Sequence, residues 1–507
     1  MNRRKLLQSI ASFAGTGLAM WQVNGTAVSL AAGMQMPGMD MKMGGTMMAA
    51  GERITELPTG QPLPELAKLA NTSKQHGMFE AVLEAGPTEV EFVKGIKTEM
   101  LAYNGAVPGS MIEVMEGDKF KVTFHNKIVG QDSTIHWHGI AVPPDQDGGP
   151  AEPVKSGQKR VYEFEIPADS AGSYWYHPHP HGHTVEQVYR GLAGAFIVRP
   201  KTDPLPPELG DTVLIISSVS LNPDGAIAEN TMMDFMNGRE GDHVLVNGAK
   251  QPVLNVAPGS SRRFRLYNAT NGRYLKLSFE GHEMTLIGTD GGLLTAPVAG
   301  LKDILLAPAE RAEIVVDFKS AEGKATLVSL PHERGWMGGD KPEMVNLPIM
   351  TFNLTGKTVA KTPLPAHLRD IVDLGPPTAT KHIELSEAMG MANGMMSMGF
   401  LIDGKSFEMA RIDLTSKVGA VELWEIVNTT TMDHPIHIHG CQFQIIEREL
   451  NGKKTANPFL SWKDTVNIVQ GETVRVKMQQ AHAGLRLYHC HILEHEEAGM
   501  MGTLSVV

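Results

Sequence analysis

The sequence predicts an all-β protein made of three consecutive β-sandwich domains, and three observations carry that expectation. From about Gly77 onward, short runs rich in β-branched and aromatic residues alternate with Gly, Pro, Asn and Asp. Examples are residues 119–124 (KFKVTF), 161–166 (VYEFEI), 212–216 (TVLII), 263–266 (RFRL), 313–318 (EIVVDF) and 473–478 (TVRVKM). Many short strands between turn signals read as sandwiches rather than βαβ units. Two proline-rich stretches, residues 199–207 and 361–377, then divide the folded part, because proline resists incorporation into sheet interiors. The pieces, 76–200, 201–360 and 361–507, are each of ordinary domain size. A phrase also recurs once per piece, a turn dipeptide followed by a strand and a glycine turn. It reads Asn104-Gly105 with Gly117, Asn247-Gly248 with Gly259, and Asp403-Gly404 with Gly419.

At 507 residues the chain is too long for one ordinary domain. With 42% hydrophobic and 20% charged residues it suits a globular protein with a real core. The net charge of -11 argues against nucleic acid as a partner and fits a cationic or neutral substrate. The chain opens on Arg3-Arg4-Lys5, then an apolar stretch from Ile10 to Met20, then small residues around 27–32. That pattern reads as a twin-arginine export signal over residues 1–32, which places the mature protein in the periplasm. No later segment offers ~18 uninterrupted apolar residues, so no membrane span is expected in the mature protein, and a monomer is expected. Residues 33–75 hold little bulky apolar material and read as a flexible, methionine-rich tail.

Chemistry concentrates in the histidines. Twelve of the twenty fall in four clusters: His136-Trp-His138, then His177, His179, His181 and His183 in HPHPHGH, then His434, His437 and His439 in HPIHIH, and finally His489-Cys490-His491 with His495. Residues i and i+2 of a strand share a face, whereas i+1 points to the other. Each His-x-His pair therefore offers two imidazoles side by side. In His489-Cys490-His491 the imidazoles face one way and the thiolate the other, so one short stretch of backbone bridges two metal sites. A thiolate, two imidazoles and a weak thioether make the blue-copper ligand set. Cys490, His495 and Met500 lie within reach of one loop, and His434 can supply the second imidazole. A structural zinc site needs four ligands at one centre, far fewer than stand here. Cys441, the second of two cysteines, reads as a free buried thiol.

These four motifs resemble the copper-binding signatures of the multicopper oxidase family, which includes laccases and periplasmic cuprous oxidases. The resemblance spans essentially the whole mature chain. It implies three cupredoxin-like Greek-key β-sandwich domains and four copper ions, one type 1, one type 2 and two type 3. It further implies that the chain couples one-electron oxidation of a substrate to four-electron reduction of dioxygen to water. By the same resemblance His136 and His437 bind the type 2 copper. His138, His177, His179, His439, His489 and His491 hold the type 3 pair, and His434, Cys490, His495 and axial Met500 the type 1 copper. Met500, where some relatives carry Leu or Phe, implies a lower type 1 potential and an easily oxidised substrate. His181 and His183 have no ligand position and read as neighbouring or solvent-facing groups.

Dioxygen reduction consumes four protons, so nearby carboxylates are expected to serve as acids. Asp147, eleven residues after His136, and Glu496, directly after His495, match family positions for that role. The substrate is indicated by methionines. Residues 34–48 contain seven, and residues 389–398 contain five, namely Met389, Met391, Met395, Met396 and Met398. Thioethers select Cu(I). The second stretch resembles a shortened form of the insert over the type 1 site in cuprous oxidases. Cuprous oxidase activity is therefore the expected function, with a laccase acting on phenols and aromatic amines as the alternative. A methionine-rich copper buffer with little turnover is the alternative of another class, and it has no need of a trinuclear cluster.

Overall fold

The computed structural model describes residues 51–339, 341–392 and 395–507, without the side chains of residues 389–397. The expected signal at 1–32, the methionine run at 34–48 and the side chains of Met389, Met391, Met395 and Met396 lie outside the described residues.

Among the described residues six sheets form three pairs, and each pair encloses one apolar core. Two four-stranded sheets use strands between Met78 and Arg199. A seven-stranded and a five-stranded sheet use strands between Thr212 and Leu354, and a six-stranded and a five-stranded sheet use those from Ala379 to Val506. Of the six strand-like runs named above, four lie wholly within strands, and 161–166 and 313–318 each extend one residue beyond theirs. The same topology recurs. The opening strand of the first pair, Met78–Val93, makes a hairpin with Ile96–Tyr103 and lies parallel to Lys119–Asn126. Ala379–Ala392 does the same with Met395–Ile402 and Val421–Asn428. Non-consecutive neighbours of this kind are the crossovers of Greek-key sandwiches.

The recurring turn phrase has a physical basis. Asn104, Asn247 and Asp403 have φ of 51°, 51° and 52°, and the glycines after them are also left-handed, the backbone a tight hairpin turn requires. In each domain the side-chain Oδ1 accepts a backbone N–H from a neighbouring strand: Glu84 at 2.7 Å, Ile215 at 2.8 Å and Glu384 at 2.8 Å. A second threefold feature had no visible sequence phrase. Asn126, Asn268 and Asn428 are buried, and each Nδ2 donates to two main-chain carbonyls.

One expectation is corrected. Residues 51–75 do not form a loose tail but lie along the first and second domains. The Leu63 N–H donates to the Val253 carbonyl at 2.8 Å, Met111 N–H donates to Ala67 at 2.7 Å, and Leu57 is buried. Backbone pairing to two sheet edges holds this segment despite its polar composition. Among the described residues no helix is long and apolar enough to cross a membrane.

Candidate metal centre

Strand alternation builds the site. His136–His138 pairs antiparallel with Gly172–His177, setting His136 opposite His177 and His138 opposite Trp175. Trp137, between the two histidines, points into the first core, where its ring lies 5.0 Å from Phe120 and 5.5 Å from Tyr162. In the third domain His434–Ile438 pairs with Gly484–Cys490, so His437 faces His489 and Ile436 faces Cys490. The two histidine-bearing faces meet between the first and third domains. His136 stacks on His439 at 3.9 Å between ring centroids, and His138 on His437 at 3.7 Å.

Eight imidazoles converge there, fully or almost fully buried. Their nitrogens form the groups His136, His138 and His437, then His138, His177 and His491, then His179, His439 and His489. A fourth group, His434, Cys490 and His495, lies on the other side of the Gly484–Cys490 strand. His434 Nδ1 is 3.4 Å from Cys490 Sγ and 3.3 Å from His495 Nδ1. Met500 is buried in the same core, and its carbonyl accepts the Cys490 N–H at 3.0 Å.

Hydrogen bonds on the far side of each ring determine what these nitrogens can do. His136 Nδ1 donates to the Asp147 carbonyl at 2.9 Å, His437 Nδ1 to the Asp464 carbonyl at 2.8 Å, and His439 Nδ1 to Asp147 Oδ2 at 2.8 Å. His177 Nδ1 donates to Pro178 O and His489 Nδ1 to Cys490 O. A neutral ring whose Nδ1 carries the proton presents only a lone pair at Nε2. Yet Nε2 of His439 lies 3.0 Å from Nε2 of His489, and those of His136 and His437 are 3.4 Å apart. Facing lone pairs repel, and a cation between them turns the repulsion into coordination. His434 and His495 repeat the pattern with Nδ1 inward. Their Nε2 atoms donate to Thr430 Oγ1 at 2.8 Å and Met236 O at 3.2 Å. Among the described residues, both nitrogens of buried His491 have no hydrogen-bond partner. This donor set fits metal ions of borderline-to-soft character, with the thiolate side suited to copper.

Burial favours the neutral, ligating form of eight of these rings. It lowers the pKa of His138, His177, His437, His439, His491 and His495 well below the ordinary value, takes His179 to about 4 and His434 to about 3. These rings are neutral at physiological pH. Burial likewise pushes the Cys490 thiol up, so a thiolate there calls for a bound cation. The carboxylates go the opposite way. Burial acts to raise Asp147 and Glu496, but the imidazoles beside them, His439 and His136 for Asp147, His179 and His489 for Glu496, hold both below the ordinary carboxylate range. Glu496 Oε2 lies 3.0 Å from His489 Nδ1 and its Oε1 3.5 Å from His179 Nε2.

The ten histidines and Cys490 named from sequence as ligands of the resident metals are buried in these groups, Met500 is buried in the adjoining core, and both acids lie beside the rings. His181 and His183 enter none of the four groups; His181 is exposed, its ring edge against Phe407, and His183 precedes the short helix Thr184–Tyr189. Cys441 is free and buried. Sequence reasoning missed Thr430, Met236, Asp464 and Arg311. Thr430, four residues before His434 in a threonine run, carried a faint signal; Met236 and Asp464 lie 259 and 326 positions from His495 and His138, and Arg311 reaches the rings only through Asp464.

Fold and site together define a class: a three-sandwich protein whose first and third domains enclose a polynuclear histidine centre beside a cysteine–histidine centre. Multicopper oxidase family models match residues 84–203, 220–332 and 376–507. The chain is 34% identical over 447 residues to a multicopper oxidase of Staphylococcus aureus, covering 87% of this chain and 91% of that protein. It is 30% identical over 512 residues to a laccase of Bacillus subtilis, covering 88% and 97%. The structure of a multicopper oxidase from Campylobacter jejuni, described as a metallo-oxidase, superposes with a TM-score of 0.83 at 42% identity, covering 89% and 96%. The chain belongs to the multicopper oxidase family. Membership makes it an oxidoreductase with copper cofactors that works on dioxygen and a reducing substrate.

Proposed function

We propose that this multicopper oxidase is a cuprous oxidase serving copper tolerance, with four copper ions. The type 1 copper would be held by His434, Cys490, His495 and axial Met500, and the type 2 copper by His136 and His437. His138, His177, His179, His439, His489 and His491 would hold the type 3 pair. The bound coppers supply one-electron uptake on the Cys490 side and four-electron reduction of dioxygen to water on the histidine side. The observation that carries this reading is the set of inward lone pairs at 3.0–3.4 Å, each fixed by an outward hydrogen bond.

The chain's own residues do the rest. The backbone of His489-Cys490-His491 spans the two centres, a covalent route for electrons. Asp147 and Glu496, both buried against ligand rings, are placed to accept and pass on protons beside the cluster. On the substrate side the Phe400 ring stacks on His495 at 3.8 Å, and both His434 and His495 are buried. Phe400 belongs to Met395–Ile402, the strand that with Ala379–Ala392 carries the second methionine stretch; the register sets Met389 opposite Met398 and Met391 opposite Met396. A covered type 1 site beside a methionine hairpin favours a small soft ion over a bulky phenol, and Met398 packs on the same core as Cys490. The laccase reading draws on the Bacillus subtilis relative. Twin-arginine export, a periplasmic location and a monomeric state complete the proposal.

Oxygen uptake by copper-loaded protein, with Cu(I) in a weak chelator and separately with a dimethoxyphenol, tests it. Uptake with Cu(I) that falls on deletion of residues 389–398 is the expected result. Uptake with the phenol alone would make the protein a laccase.

A further inference from the structure

Two candidate ligands of different copper types are held by one residue, and that residue is held by the domain that supplies no ligand. We infer that Asp464, clamped by Arg311 of the middle domain, is the positioning residue that sets His138 and His437 for the metal cluster. The middle domain thereby controls the cluster's geometry. The inference rests on the copper assignment proposed above.

His138 is anchored the opposite way from the other cluster rings that have an anchor. His136, His177, His437, His439 and His489 all donate from Nδ1. His138 instead places Nε2 3.0 Å from Asp464 Oδ1, with Thr465 Oγ1 at 3.2 Å. An ionised carboxylate accepts only, so Nε2 of neutral His138 carries the proton. Nδ1 is then the lone pair, and it faces His177 Nε2 at 3.3 Å. Without Asp464 the ring is free to take the other tautomer, which has a proton where the metal belongs. The Asp464 main-chain carbonyl meanwhile accepts from His437 Nδ1 at 2.8 Å. One residue of the third domain therefore fixes a ring of the first domain through its carboxylate and a ring of its own domain through its backbone.

Arg311 fixes Asp464 in turn. Its two terminal nitrogens grip Oδ1 and Oδ2, each at 2.6 Å, in a fully buried bidentate pair. The guanidinium is itself tied by Nε to the Ser173 carbonyl at 2.8 Å, and its backbone N–H to Asp290 Oδ1 at 2.8 Å. Asp290 is paired with Lys463 at 3.0 Å and accepts from the Asp464 N–H at 3.3 Å. Space for the carboxylate exists because residue 139 is glycine: a Cβ there would meet Asp464 Oδ2 at 2.1 Å. The chain of contacts thus runs Ser173, Arg311, Asp464, His138, across all three domains. A rigid bidentate clamp is what fixes a carboxylate's direction rather than merely its charge.

The test must separate positioning from simple domain pinning. A matched control is available in Arg265, equally buried in the middle domain, which bonds Glu313 at 2.7 Å and Ser173 of the first domain at 2.7 Å but touches no candidate ligand. Asp464→Asn, Arg311→Lys and Arg265→Lys proteins would be loaded with copper and compared with wild type. The readouts are copper retained against a chelator, the EPR hyperfine of the type 2 copper and the blue absorbance. We expect Asp464→Asn and Arg311→Lys to hold cluster copper about 10–100-fold more weakly and to shift the type 2 hyperfine, with the blue band intact. Arg265→Lys should leave all three unchanged. If Asp464→Asn does not fold, Arg311→Lys, which keeps the charge and loses only the fork, decides. Unchanged retention and hyperfine, or a loss of blue and cluster copper alike that Arg265→Lys reproduces, would overturn the inference and leave the copper assignment standing. A wild-type protein without cluster copper would overturn the assignment as well.

Discussion

The two faces of the Gly484–Cys490 strand hold their rings by different means. On the Cys490 side the candidate ligands belong to the third domain alone, and their outer nitrogens bond neutral oxygens, Thr430 Oγ1 and Met236 O. On the His489 side the rings come from two domains, and six of them lie against carboxylates: His136 and His439 on Asp147, His179 and His489 on Glu496, and His138 and His437 on Asp464. The difference matches the work proposed for each face. Passing single electrons calls for a stiff, apolar surround and no protons. Reducing dioxygen calls for acids at hand and for charge that balances several cations. Assembly at a domain junction also makes the second face depend on how the domains dock.

The substitution with the largest expected effect removes one face only. Cys490→Ser should abolish the blue absorbance and nearly all oxidase activity, while metal analysis still finds copper in the histidine cluster. Next, Glu496→Gln or Asp147→Asn should slow dioxygen reduction by about 10²–10⁴-fold. Anaerobic bleaching of the blue band by Cu(I), read by stopped flow, should stay at the wild-type rate. Bleaching slowed equally would erase the proposed division of labour. A smaller effect is expected at Thr430→Val, which strips the oxygen from His434 Nε2. Copper retention should weaken about 10–100-fold on the Cys490 side only, measured by chelator competition against the blue band.

The smallest effect concerns docking. Asp211 is tied to Arg199, Arg263 and Arg265. Burial opposes its ionisation, but Arg265 and Arg263 hold its carboxyl below the ordinary value. A depressed folded-state pKa gives stability that is present above the unfolded value of about 4 and lost as pH falls below it. Asp211→Asn should therefore lower the melting temperature at neutral pH and narrow its gap from wild type in acid. A constant gap across pH would exclude this ion cluster as an acid-labile joint.

The sequence made one level of this organisation legible and concealed another. His-x-His pairs at strand spacing state which rings share a face, and Cys490 between His489 and His491 states that two centres lie back to back; both follow from local alternation. The threefold turn was readable because Asn-Gly and Asp-Gly carry left-handed backbone in their chemistry. The supporting groups left no local mark. Arg311 and Asp464 are 153 positions apart, and each reads alone as an ordinary charge near a turn. Only the packing of three sandwiches brings them to His138. Residues 51–75 misled for a related reason: their hold comes from main-chain pairing with sheet edges, which composition does not report.

Copper quantitation with EPR on the purified, copper-loaded protein tests the central claim of two distinct centres most directly. The account predicts about four coppers per chain, two giving separate EPR signals, one blue and one ordinary, and two coupled and silent. A single copper with only the blue signal, or zinc in the histidine cluster, would contradict it.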